Sequence, residues 1–147
     1  MDGEVSYGMA FENPGAAEAQ ANEAAIDLCV RRFYGRAQKD PLLAPIFEVS
    51  VPDWDHHISK IHDFWSRILL GTDRYSGFPY PPHVLLPVEP EHFARWLALF
   101  EETAVETLPA ALAGKAVEKA KHMASCFQSG MFPFVDQNGR PSRQPGC

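Results

Sequence analysis

No block of lysines or arginines occurs anywhere in the chain. Acidic side chains outnumber basic ones, 19 to 13, for a net charge of −6. Nucleic acid and anionic membranes both select a clustered basic surface, so neither is expected as a main partner. No run of 18 apolar residues is present to span a bilayer. The first residues lack the basic, apolar and small-residue order of a secretory signal. Cysteine is scarce: Cys29, Cys126 and Cys147, with no CxxC spacing. Cys29 and Cys126 each fall in an apolar helical pattern and read as buried free thiols, while Cys147 reads as an exposed one. A reducing cytosol is the expected setting, hence a cytoplasmic protein. No segment alternates apolar and polar residues as a half-buried strand would, and no internal repeat is visible.

What remains is helix. The 147 residues suit one domain, long enough to bury its own core. The domain is expected over residues 18–132, with flexible tails at 1–17 and 133–147, the second rich in turn formers. From Ala16 to Lys39 the residues Ile26, Cys29, Val30, Phe33 and Ala37 recur at helical spacing, and Pro41 ends the run. DPLLAPIF reads as a turn-rich connection. Asp53 reads as an N-cap, opening a helix to Leu70 that Gly71 closes. Pro79, Pro81, Pro82, Pro87 and Pro90 then exclude any long helix. Two further helices follow, Glu89 to Leu108 with Phe93, Trp96, Leu97, Phe100 and Ala104, and Pro109 to about Met131. The class is all-α.

WDHHISKIHDFW, residues 54–65, holds three histidines. On a helix, with His57 at zero, Trp54, Ile61, Phe64, Trp65 and Ile68 lie within roughly 80° of it. His57 therefore faces the core. His56 lies about 100° to one side and His62 about 140° to the other, among Asp55, Ser59, Asp63, Ser66 and Arg67. No two of the three have the i, i+4 spacing of a zinc pair. His56 and His62 read as solvated; His57 is a polar ring on an apolar stripe. Tyr34, beside Phe33, and Trp96 likewise bring polar tips toward the core. One buried polar ligand would give all three a partner.

His83 lies in PYPPHVLLPV, where flanking prolines stiffen the backbone. It reads either as an ordinary loop histidine or as a metal ligand. A ligating imidazole needs its second nitrogen oriented, and a backbone carbonyl of this Pro-rich segment is the expected partner. Two histidines 26 positions apart, inside an aromatic shell, fit a flat, apolar, iron-bearing cofactor held between two segments, which is haem.

The segments FYGR with KDPLLAPIF, WDHHISKIHDFW with RILLG, YSGFPYPPH, HFARWLALFEE and KAKHMASCFQ together resemble the truncated haemoglobins, specifically the third group. The resemblance runs from Ala25 to Met131, and the Gly-Gly motifs of the other two groups are missing. It implies a shortened globin, a two-over-two helical sandwich with its F helix reduced, holding haem b. His83 would be the iron ligand, and Tyr34, His57 and Trp96 the residues on the ligand side. Phe47 would pack on the haem and Lys60 would reach a propionate, with Ile61, Trp65 and Phe93 in the apolar shell. Members of this group differ in whether the residue at position 57 points into the pocket or out of it. The implied ligands are O2, NO and CO, with slow O2 release. Redox chemistry of a peroxidase-like or NO-detoxifying kind, fed by an unidentified reductase, stays open. Two other readings compete: a cofactor-free helical interaction module, and a non-haem metal bundle, which lacks inward His–carboxylate pairs.

Overall fold

The computed structural model describes residues 14–84, 86–132, 134–135 and 141–142. The helices are α1 (Pro14–Ala37), α2 (Ala44–Ser50), α3 (Trp54–Leu70), α4 (Tyr80–Val84), α5 (Pro90–Thr107) and α6 (Ala110–Met131). Helices α1 and α3 pack as one pair, α5 and α6 as the other. The pairs join through α1 against α5 and α3 against α6, which is the two-over-two sandwich. Helix α1 starts with Pro14, tolerated there because a first-turn N–H has no helical partner. Its stripe of Ile26, Cys29, Val30, Phe33 and Ala37 is buried as the spacing predicts. On α6, Ala113, Ala116, Ala120 and Ala124 are buried at intervals of three and four, so small side chains let the neighbouring helices approach.

The boundaries of α3 have the local causes read from sequence. Asp53 Oδ1 accepts from the His56 N–H at 3.2 Å, and Gly71 takes φ 76° while its N–H donates to the Arg67 carbonyl. The left-handed backbone at Gly71 favours a residue without Cβ. Three expectations are corrected. DPLLAPIF contains the start of a helix: Asp40 Oδ2 accepts from the N–H groups of Leu42 and Leu43 at 3.1 Å, and α2 follows with Pro45 in its first turn. A proline there costs no hydrogen bond, so it does not break the helix. His62 and Ser66 are not on a solvated face. Ser66 is fully buried, and His62 Nε2 lies 2.8 Å from Glu23 of α1. Glu23, Arg74 and Ser66 close a polar network over that flank of α3, with Arg74 also on Asp63 at 3.0 Å. Cys126, half-buried on α6, is disulfide-bonded rather than free; Cys29 is the buried free thiol expected.

A two-residue antiparallel ladder, β1 (Phe134–Val135) with β2 (Pro141–Ser142), follows α6. Strands this short carry no alternation for a sequence to display. Residues 14–17 of the expected N-terminal tail form the start of α1, while 1–13, 133, 136–140 and 143–147, with Cys147, lie outside the described residues. Among the described residues no helix is long and apolar enough to cross a membrane.

Candidate functional site

Between the helix pairs the interior is not filled. A cavity of about 270 Å³ opens there, where a void beside Cys29 in the packed core measures about 10 Å³. One water occupies roughly 10–15 Å³ on this measure, so the larger space is far beyond a packing defect. Tyr34, Phe47, His57, Lys60, Ile61, Trp65, His83, Phe93 and Trp96 all line it. Every candidate residue therefore comes to one place, from α1, α2, α3, α4 and α5.

His57 projects inward from α3. Its ring meets Tyr34 edge-on at 4.9 Å and Trp54 at 5.7 Å. Its Nε2 is buried without a hydrogen-bond partner. Such an atom is costly and calls for a ligand or a functional reason. Burial, then the neighbouring His83, Lys60 and His56, push its pKa below the ordinary histidine value. Tyr34 is buried, and that burial drives its pKa far upward, so the hydroxyl keeps its proton. Its ring also packs edge-on against Phe47 at 5.5 Å.

His83 stands on α4, the five-residue helix among the prolines. Its Nδ1–H donates to the Pro79 carbonyl at 2.5 Å, the backbone partner expected from sequence. That bond fixes the tautomer and leaves Nε2 with a free lone pair. The ring rests 4.8 Å from Phe127 of α6, and burial lowers its pKa. Tyr80 also packs on Phe127 at 5.5 Å, and its hydroxyl would meet a Cβ on Gly130 at 2.5 Å. Glycine at 130 thus makes room for α4 to lie against α6. Trp96 stacks on Phe100 at 5.2 Å with 5° between planes, and Phe100 stacks on Trp65 at 4.9 Å. Three rings so form a stiff wall.

Sequence reasoning missed Phe127, Met123, Tyr75 and His92, which also line the cavity. Phe127 and Met123 continue the apolar stripe of α6 and look like ordinary core; nothing in a single sequence separates the two. His92 looks like any first-turn polar residue.

The set fits haem. The space is open and mostly apolar, His83 offers a neutral imidazole with an unused nitrogen, and a second buried imidazole nitrogen waits without a partner. Among the described residues no three His, Cys, Asp or Glu side chains converge to hold a bare metal ion.

A two-over-two sandwich around such a cavity, with a histidine from a reduced helix on its wall, defines a shortened globin. The bacterial-like globin family model matches residues 18–129. A group 3 truncated hemoglobin of Campylobacter jejuni is 32% identical over 118 residues, covering 77% of this chain and 93% of that one. The crystal structure of a group III truncated hemoglobin from the same species superposes with a TM-score of 0.71 at 33% identity, covering 76% of this chain and 91% of that one. The chain belongs to the bacterial-like globins, in the third group of truncated haemoglobins. Haem binding and the binding of small diatomic ligands come with that family.

Proposed function

We propose that this globin holds haem b through His83 and binds O2, NO and CO with slow release of O2. The observation that carries the assignment is the His83 Nδ1–H bond to Pro79, which prepares the opposite nitrogen as a ligand inside the cavity. Haem supplies, when bound, the iron at which a diatomic ligand is taken up. Phe47, Ile61, Trp65 and Phe93 exclude water from its faces, and Lys60 offers a cation to a propionate. The Tyr34 hydroxyl and Trp96 indole N–H are the donors available to a ligand in the cavity, and low polarity strengthens them. A hydrogen bond to a charged acceptor is worth about 1.5–3 kcal/mol, so two of them slow release by roughly two to four decades. Slow release suits retention or chemistry better than transport.

A second reading has its own support. The His57 ring lines the cavity, burial disfavours its protonated form, and its Nε2 has no hydrogen-bond partner, so the neutral imidazole is available as a base. Peroxidase-like or NO-detoxifying turnover needs such a base, together with electrons from a reductase. His83→Ala tests the primary reading. The wild-type chain is expected to purify with an intense Soret band and the variant to lose haem rapidly. A variant retaining the five-coordinate ferrous spectrum of the parent overturns the assignment.

A further inference from the structure

His92 lines the cavity but belongs to none of the groups discussed above. It is the third residue of α5, half-buried, and its Nδ1 accepts the N–H of Glu89 at 2.8 Å. This is the reciprocal arm of a capping box, a place usually taken by Glu or Gln. An imidazole that accepts at Nδ1 carries its proton at Nε2. The cap therefore does to His92 the reverse of what Pro79 does to His83. At His83 a carbonyl takes Nδ1–H and leaves Nε2 as a lone pair; at His92 a backbone N–H occupies Nδ1 and leaves Nε2 as a donor. One ring is set to ligate and the other to donate. Lys60, exposed on α3, is the lysine lining the same cavity. A glutamate or glutamine would cap α5 equally well, so capping alone does not explain a histidine here.

We infer that His92 binds a carboxylate of the cofactor, its Nε2–H donating to one haem propionate while Lys60 serves the acidic edge from α3. The inference rests on the haem reading and adds a residue to it. His92 thus selects the carboxylate edge of the macrocycle, and its own cap fixes the tautomer that does so.

The test uses His92→Glu. Glutamate at this position keeps the capping box and adds a negative charge to the first turn of α5, both favourable to the helix. A merely structural His92 predicts unchanged or raised thermal stability and unchanged haem retention. The inference predicts a stable variant that transfers haem to an excess of apoglobin trap roughly tenfold faster or more, since a bond to a carboxylate is replaced by repulsion. The control is the protein reconstituted with haem dimethyl ester, which has no carboxylate. There wild type and variant should lose cofactor at the same rate. Equal loss of ordinary haem from both proteins, or equal acceleration with the ester, overturns the role given to His92. Failure of the wild-type chain to take up either porphyrin overturns instead the haem reading beneath it.

Discussion

At the scale of single residues, the site is a set of protonation choices made by neighbours. Pro79 takes the His83 Nδ1–H and leaves Nε2 with a free lone pair, and burial keeps the Tyr34 hydroxyl protonated. A hydroxyl that never ionises is always a donor, and it sits in a cavity where water competes little. Tyr34→Phe removes that donor and keeps the ring contacts with Phe33, Phe47 and His57. O2 dissociation from the ferrous protein should accelerate by about one to two decades, read by stopped-flow displacement with CO. An off-rate within twofold of the parent would remove Tyr34 from the ligand's surroundings. Tyr34 and His57 were legible in the sequence because a polar tip on an apolar stripe is visible by counting. His92 was not, because its role depends on the cap that orients it.

At the scale of elements, short connections do more than join helices. Asp40 is buried at the corner between α1 and α2, holding the N–H groups of Leu42 and Leu43 and accepting from Arg95 of α5 at 2.6 Å. The Arg95 guanidinium holds its carboxyl below the usual range, ahead of burial, which acts the other way. This corner places α2, and with it Phe47. Asp40→Ala leaves two backbone donors without their acceptor, at a cost of about 1–3 kcal/mol. Urea denaturation should record that loss, and hydrogen exchange should locate it at residues 41–50. Unchanged protection there would show that α2 is held by its apolar contacts alone. The turn-rich look of DPLLAPIF concealed this helix because Pro45 reads as a breaker unless its place in the first turn is known.

For the molecule as a whole, an unfilled interior has consequences for stability. His57 is buried with an unpartnered nitrogen, and its pKa is depressed from 6.5 by that burial. Unfolded, it takes up a proton near its ordinary value; folded, it resists. The haem-free chain thus keeps this contribution above pH 6.5 and loses it as pH falls from there through the folded value. His83, depressed for the same first cause, adds to the slope. His57→Leu removes both the titration and the orphaned atom. The haem-free variant should therefore be more stable than its parent and less sensitive to acid, by urea unfolding near about pH 7.5 and about pH 5.5. A variant with the parent's full pH dependence would show that His57 does not resist protonation in the fold. The ion pairs that join α1 to α5, Arg36 with Glu102 and Glu106 and Arg32 with Glu106, are largely exposed and add little to this balance.

The four long helices, the caps of α3 and the all-α class were determined by the sequence itself, because apolar spacing, Asp53, Gly71 and the prolines act on the backbone nearby. The same spacing turned His57 inward. What surrounds a side chain was decided only by tertiary structure. The flank of α3 with His62 and Ser66 looks polar and solvated until Glu23 and Arg74 cover it. Phe127 looks like core until it is found beside His83. Local pattern records which face a residue occupies, whereas a cavity exists only where faces from several helices meet and fail to fill the space between them.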